Sequence, residues 1–123
     1  MIEFRIINDP DKIKSEEVLR LLKMTYWANN RTIEQIEESM ASSFCYGLFL
    51  AEEERLVGFA RVISDLATTY YLCDVIIDPE YQHQGLGKAL VSHIVSPLNT
   101  VSYVGSFWQR MLMDFMRNLD SKP

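Results

Sequence analysis

The residues best suited to chemistry lie in one short stretch, Gln82–Lys88, which reads Gln-His-Gln-Gly-Leu-Gly-Lys. Gly85 and Gly87 allow the backbone to approach a ligand closely and to adopt positive φ angles. A helix is predicted to begin here, and its first N–H groups have no partner within the helix and lie at the positive end of the dipole. A phosphate or pyrophosphate is the ligand this arrangement favours, with Lys88 adding positive charge. The alternative is that the two glycines only form a tight turn before the helix.

Two common nucleotide-binding loops do not fit this stretch. A Walker loop needs Gly-x-x-x-x-Gly-Lys-Ser/Thr, but Gly85 and Gly87 are separated by one residue, and Ala89 stands where a magnesium-binding hydroxyl is required. A Rossmann fingerprint needs a third glycine or alanine where this chain has Leu90, and it belongs to the first βα unit of a parallel sheet. The stretch is therefore predicted to be a phosphate-binding loop of another type.

The elements that position this loop follow from the spacing of apolar residues. Short apolar runs that end at polar or proline-containing segments predict four strands, at 4–7, 44–51, 56–63 and 69–77. Residues from Val18 onward have helical spacing, which predicts a first helix continuing into 26–30. A capping box at Thr32 and Gln35 predicts the start of a second helix, and a third follows the loop. This order of elements predicts a mixed α/β domain.

The loop also carries a family resemblance. Gln82-x-x-Gly85-x-Gly87 matches the Gln/Arg-x-x-Gly-x-Gly/Ala signature of the GCN5-related N-acetyltransferase (GNAT) family, and the segment 77–81 (Ile-Asp-Pro-Glu-Tyr) resembles that family's strand-to-loop junction. The resemblance extends over about residues 1–95 and includes the order of elements. It implies an α+β fold with a mostly antiparallel central sheet flanked by helices. It also implies transfer of an acetyl group from acetyl-CoA to a primary amine of a small molecule or a protein.

The resemblance further implies where acetyl-CoA binds. The pantetheine arm is expected along the backbone of the last predicted strand, and the pyrophosphate on the amides of the loop. The implied cofactor-binding residues are Val75, Ile76 and Ile77 in the strand and Gln82, His83, Gln84, Gly85, Leu86, Gly87 and Lys88 in the loop. A metal is not expected, because the sequence shows no metal-ligand spacing.

Proton transfer and acceptor binding are predicted from a few side chains. Asp74 is the carboxylate on the strand nearest to the expected thioester, which makes it the candidate general base. As a lone acid in an apolar strand it is expected to have a raised pKa if buried. The alternative is a structural hydrogen-bond acceptor. Tyr26, Trp27 and Arg31 occupy the connection between the first two helices and are candidate substrate contacts, with packing as the alternative.

Composition narrows the functional classes. The 123 residues hold 12 Lys and Arg against 17 Asp and Glu, a net charge of −5, which makes nucleic acid a poor partner. No apolar run approaches the roughly 18 residues of a membrane span. Cys45 and Cys73 lie in apolar stretches and predict reduced thiols of a cytoplasmic protein. Residues 1–54 hold six basic and eleven acidic residues, an excess that favours a cationic acceptor.

The end of the chain departs from the family pattern. The family usually supplies a general-acid tyrosine from a late helix, but the helix predicted here at 108–119 contains none, and no residues are left for two closing strands. The single domain, 1–123, is therefore divided into a family-like core, 1–95, and a divergent or truncated end, 96–123. One hypothesis is that a frameshift or recombination replaced the native end, and the other is that the divergent end completes the sheet or forms a dimer contact. The departure favours an alternative function, a catalytically impaired acyl-CoA-binding module that acts through binding or homodimerisation.

Overall fold

A computed structural model describes residues 3–51, 53–65 and 67–98 of this chain. These residues form four strands and three α-helices, in the order β1 (Phe4–Ile7), α1 (Ser15–Leu22), α2 (Ile33–Ala41), β2 (Phe44–Leu50), β3 (Leu56–Ser64), β4 (Tyr70–Ile77) and α3 (Leu86–Leu98). The sequence also contains a poor strand candidate at 100–107, which includes Ser102, Gly105 and Ser106. This segment, the helix predicted at 108–119 and nearly all of the predicted divergent end lie outside the described residues.

The strands form one antiparallel sheet in the order β1-β2-β3-β4. Each strand pairs with its neighbour along the chain, as the pairs Arg5 with Phe49, Tyr46 with Ala60 and Val62 with Leu72 illustrate. The mixed fold with a mostly antiparallel sheet is confirmed, and each predicted strand agrees with the observed one to within one residue at either end.

The two faces of the sheet bury separate apolar clusters. On one face α1 and α2 pack through Val18, Leu21, Leu22 and Ile36 against sheet residues that include Phe49, Phe59 and Ile76. On the opposite face α3 packs through Leu86, Leu90, Val91 and Ile94 against sheet residues that include Leu48, Val62 and Ile77. Because side chains alternate between the two faces of a strand, the neighbours Ile76 and Ile77 pack into different apolar clusters.

The first helix is shorter than its apolar spacing predicts. α1 ends at Leu22, whereas the sequence predicts a continuation into 26–30. The last turn tightens into bonds between residues three apart, from Met24 N–H to the Leu21 carbonyl and from Thr25 N–H to the Leu22 carbonyl. The Thr25 hydroxyl then donates to the Leu22 carbonyl and accepts from the N–H of Ala28. The Thr25 hydroxyl thus forms hydrogen bonds that backbone groups would form in a continuing helix, and the chain leaves the helical path after Leu22.

The second helix begins where its capping signal predicts. The Thr32 hydroxyl accepts from the Gln35 N–H, and the Gln35 side chain accepts from the Thr32 N–H, so both halves of the capping box are present. This fixed start places Arg31, the residue before the cap, at the end of the α1–α2 connection. From this position the Arg31 side chain reaches Asp74 of β4.

A close approach between β3 and β4 depends on a glycine. Gly58 pairs with Ile77, and a Cβ at Gly58 would lie 2.8 Å from Cδ1 of Ile77 and 3.1 Å from Cβ of Leu48. The absence of a side chain at this position therefore lets the end of β4 pack tightly against β3.

Candidate functional site

β4 is kinked in the middle by a β-bulge. Phe59 pairs with Ile76 and Arg61 pairs with Cys73, so two residues of β4, Asp74 and Val75, lie opposite the single Ala60. Asp74 has a φ of 54°, a left-handed conformation that few residues other than glycine, asparagine and aspartate adopt. The bulge bends the strand just before the segment predicted to bind the pantetheine arm.

Two arginines hold the carboxylate at the kink. Arg31 donates from Nη1 to Oδ2 of Asp74 over 2.7 Å and from Nη2 to Oδ1 over 3.1 Å. Arg61 donates from Nε to the same Oδ2 over 2.9 Å, and its Nη1 donates to the Ser43 hydroxyl. Only 6% of the Asp74 side chain is exposed. We refer to Arg31, Asp74 and Arg61 as the bulge cluster.

The raised pKa expected for Asp74 is wrong. Burial alone raises the pKa of this carboxyl, but the hydrogen bonds and charges of Arg31 and Arg61 lower it by more, so the pKa lies below its ordinary value. Both oxygens already accept hydrogen bonds from cations. These contacts favour the second interpretation of Asp74, a hydrogen-bond acceptor that fixes local structure, over a general base.

The three predicted substrate residues lie in different surroundings. Arg31 lies against the bulge through Asp74, and its guanidinium carbon is 5.9 Å from the centre of the Trp27 ring. Trp27 therefore lies next to the bulge cluster, with 44% of its surface exposed. Tyr26 is 92% exposed, so it does not pack into the core. The structure thus brings Arg31 and Trp27 to the kinked strand and leaves Tyr26 on the surface beside them.

The strand segment after the kink ends in a loop held by its own side chains. Asp78 caps a short 3-10 turn, Pro79–Tyr81, because its Oδ1 accepts from the N–H of Glu80. The Gln82 amide nitrogen donates to the carbonyl of Ile77 over 3.0 Å, which closes the loop back onto the strand. Gln82 of the signature therefore has a structural role in shaping the loop, whatever ligand the loop binds.

A second pair of arginines holds Asp78, and sequence patterns do not predict these contacts. Oδ2 of Asp78 accepts from Nη1 of Arg20 in α1 over 3.3 Å and from Nη2 of Arg55 over 3.4 Å. The Asp78 N–H donates to the Val57 carbonyl, and the residue is 2% exposed. We refer to Arg20, Asp78 and Arg55 as the loop cluster. The only local signal for it was the Asp-Pro dipeptide, which is typical of a cap and does not identify distant partners.

The N-terminus of α3 has the geometry expected for an anion site. His83 and Gly85 have φ angles of 66° and 81°, and the Gly85 carbonyl accepts the first helical bond, from Ala89 N–H. In α-helices generally, the first N–H groups are not used by the helical hydrogen bonds, which makes a helix start suited to an anion. His83 and Lys88 are exposed beside it.

The two glycines of the signature have different roles. Gly85 has the positive φ, and a Cβ built there would have no neighbour within 4 Å, so the space above the loop is open. Gly87 is a buried residue inside the first turn of α3. The prediction of positive φ is therefore confirmed for Gly85, while Gly87 has helical backbone.

The backbone of the predicted pantetheine segment lies at a strand edge. Within the described part of the chain β4 has β3 as its one neighbouring strand. The side chains of Ile76 and Ile77 are buried in opposite layers, and Val75 is half-buried. Side-chain packing thus holds the segment in place, and its second edge of N–H and C=O groups is the edge to which an extended ligand can pair.

The thiols do not have the environment of nucleophiles. Burial raises the pKa of Cys45 to about 11, and burial also raises the pKa of Cys73. Both cysteines are free.

Among residues 3–51, 53–65 and 67–98, no three His, Cys, Asp or Glu side chains are grouped as a metal site. None of the helices in these ranges has the length and apolar character needed to span a bilayer.

Comparison with known proteins gives concordant results. The model of the acetyltransferase (GNAT) family matches residues 11–100. GCN5-related N-acetyltransferase 2, chloroplastic, of Arabidopsis thaliana is 43% identical over 70 residues, which are 55% of this chain and 27% of the relative. This chain therefore spans less than a third of that relative's length.

Two solved structures share the fold. A GNAT-family acetyltransferase from Xanthomonas campestris pv. campestris superposes with a TM-score of 0.70 at 33% identity, over 77% of this chain and 66% of that one. N-acetylglutamate synthase from Neisseria gonorrhoeae, solved with coenzyme A and N-acetylglutamate, gives 0.62 at 17% identity, over 83% and 24% respectively. The second likeness concerns the fold alone.

Proposed function

Since the match over residues 11–100 makes this chain a member of the acetyltransferase (GNAT) family, we propose that it binds acetyl-CoA and transfers the acetyl group to a primary amine. The acceptor amine belongs to a small molecule or to a protein. One observation carries the proposal: a kinked strand, at the edge of the sheet that the described residues form, leads directly into the Gly85-containing loop before α3. The coenzyme A bound to the gonococcal structure of the same fold supports it.

Each part of acetyl-CoA would meet a different part of this element. The pantetheine arm pairs with the backbone of Val75–Ile77, and the pyrophosphate accepts from N–H groups of the segment 83–88 at the start of α3. Gln82 and Asp78 hold the loop in the required shape through their bonds to the Ile77 carbonyl and the Glu80 N–H. Most of the recognition thus comes from backbone groups, whose positions the side chains fix.

The chemical step joins the acceptor nitrogen to the thioester carbonyl carbon and breaks the carbon–sulfur bond. The amine must enter neutral, the oxygen of the tetrahedral intermediate needs a hydrogen-bond donor, and the departing thiolate takes up a proton. A backbone N–H near Ile77 is our candidate donor to that oxygen. Asp74, proposed from the sequence as the base, is better suited to fixing the strand, because Arg31 and Arg61 occupy its oxygens.

The binding step is tested by calorimetric titration of the protein with acetyl-CoA. Gly87→Glu places a negative charge in the first turn of α3, and Lys88→Glu does so at an exposed position that is less disruptive to folding. Ala41→Glu, at the exposed end of α2, adds the same charge elsewhere and serves as the control. The proposal predicts binding by the wild type and the control, and a loss of at least about tenfold in Gly87→Glu. A folded wild type that binds no acetyl-CoA would refute it.

The transfer step is tested by thiol release from acetyl-CoA in the presence of a panel of amines, including spermidine and a lysine-containing peptide. Release that depends on an amine supports the acetyltransferase. Tight binding without amine-dependent release supports the alternative predicted from the sequence, a catalytically impaired acyl-CoA-binding module. The acceptor, a cytoplasmic location and homodimerisation remain predictions.

A further inference from the structure

The side chain at the kink of β4 is held by two elements that are anchored separately. Arg31 belongs to the α1–α2 connection, directly before the capped start of α2, and Arg61 belongs to β3. The two guanidinium groups approach the Asp74 carboxylate within 2.7 to 3.1 Å and engage both of its oxygens. A carboxylate held in this way has little freedom to rotate, so the backbone of the residue that carries it is also restrained.

Asp74, the restrained residue, lies at the point where the backbone of β4 changes direction. Asp74 has the left-handed φ of 54° and, with Val75, forms the extra residue of the bulge opposite Ala60. Left-handed backbone is costly for residues with a Cβ, and Asp is among the side chains that adopt it most readily. If the side chain were released, the strand would gain access to unkinked conformations in which the following N–H and C=O groups point elsewhere.

We propose that Arg31 and Arg61 are positioning residues of the acetyl-CoA site, because through Asp74 they fix the kink of β4 and thereby the direction of the backbone groups of Val75–Ile77. The inference rests on the proposed function. It assigns to the two arginines a role that acts through Asp74 and requires no contact with cofactor or acceptor. It also connects the segment that carries Trp27 with the strand that carries the acetyl-binding backbone, through the Arg31–Asp74 ion pair.

The arginines are tested by Arg31→Met and Arg61→Met, which keep the apolar stem and remove the donors. Arg5→Met is the control, because Arg5 of β1 donates a hydrogen bond to the Glu53 carbonyl and, like Arg31, lies near an aromatic ring, but does so at the far edge of the sheet. We expect the dissociation constant of acetyl-CoA to rise about tenfold in each test variant and less than about twofold in the control. Test variants that bind acetyl-CoA as the wild type does would overturn the proposal.

Substitutions of Asp74 separate a positioning role from a general-base role. Asn keeps an acceptor oxygen and the tolerance of left-handed backbone, Gly keeps only the tolerance, and Ala keeps neither. A positioning role predicts affinity for acetyl-CoA in the order Asp74→Asn, then Asp74→Gly, then Asp74→Ala. A base role predicts equal affinities, because binding does not require proton transfer, and equal affinities would therefore contradict the proposal.

A measurement without ligand separates failure of this inference from failure of the proposed function. Amide hydrogen exchange of peptides from β4 should be at least about tenfold faster in Arg61→Met than in the wild type, with β1 unchanged. Unchanged exchange in β4 would overturn the positioning role even in a protein that binds acetyl-CoA. Faster exchange in a protein whose wild type binds no acetyl-CoA would refute the proposed function, and with it the link to the cofactor.

Discussion

The bulge cluster and the loop cluster are built from the same parts and restrain the chain in different ways. In each, one Asp of the β4 region accepts from two arginines, and between them the two clusters bracket the segment 75–77. Asp74 makes the shorter contacts and has left-handed backbone, whereas Asp78 makes longer contacts, caps a turn and bonds through its own N–H to Val57. The comparison indicates that the loop cluster holds the fold together and the bulge cluster holds one conformation of a strand.

The largest effect on stability is expected at the loop cluster. Asp78→Ala removes a buried carboxylate, a turn cap and the partner of two arginines, which should lower the free energy of unfolding by roughly 3 kcal/mol. Asp74→Ala should cost roughly half as much, because Asp74 caps no turn, so its removal breaks the ion pairs with Arg31 and Arg61 without the additional loss of a cap. Urea denaturation of both variants measures the difference. Equal losses would show that the two clusters have the same role.

An intermediate effect is expected between the clusters, where β4 packs on β3. Gly58→Ala should lower the free energy of unfolding by about 1 to 3 kcal/mol, because the new Cβ meets Ile77 and Leu48 at 2.8 and 3.1 Å. Combination with Ile77→Val, which removes the nearest methyl group, should recover part of the loss. If the double variant is as unstable as the sum of the single ones, the close approach is not the cause.

A smaller effect is expected in the loop that follows. Gly85→Ala creates no clash, since nothing lies within 4 Å of its Cβ position, but it places a side chain at a φ of 81°. The cost should be about 1 kcal/mol, and Gly85→Asn should cost less. Thermal unfolding of the two variants measures this. A loss in Ala no larger than in Asn would indicate that the loop relaxes to another conformation.

The smallest effect is a change in pH dependence at the bulge cluster. The pKa of Asp74 is lowered in the folded protein, so its ion pairs stabilise the fold above the ordinary pKa and are lost as the pH falls through the folded value. Asp74→Asn should therefore flatten the decline in stability below about pH 4. Urea midpoints between pH 3 and pH 7, roughly the range over which carboxyl groups titrate, test this. An unchanged slope would mean that the carboxylate is not held as described.

Patterns among neighbouring residues predict the helices and strands well. They do not predict contacts between residues that lie far apart in the sequence. The strand at Phe4–Ile7 and the capping box at Thr32 depend on neighbouring residues, and both are confirmed. The pKa of Asp74 was predicted wrongly because its partners lie 43 and 13 residues away along the chain, where no spacing rule connects them. The bulge is not predicted for a similar reason. A shift of register is a property of two paired strands, and the sequence of one strand does not specify it.

The glycine signature illustrates how far a motif can be interpreted. The positive φ of Gly85 and the start of α3 are expected from the loop sequence, because helix ends and positive φ angles are local properties. The internal bond from Gln82 to Ile77 was not expected, because the motif does not say whether its polar side chain faces ligand or protein. The residues that shape the loop therefore differ in part from those predicted to touch the cofactor.

The kink at Asp74 also affects how another strand could pair with β4, whose second edge has no partner strand among the described residues. A strand at the edge of a sheet is a template onto which an edge of another molecule can add. The bulge divides β4 into a stretch before Asp74 and a shorter one after it, so an incoming flat strand can stay in register with only one of them. Among the described residues, where β4 has β3 as its one partner strand, the bulge thus limits the length over which a further strand could pair along the second edge of β4.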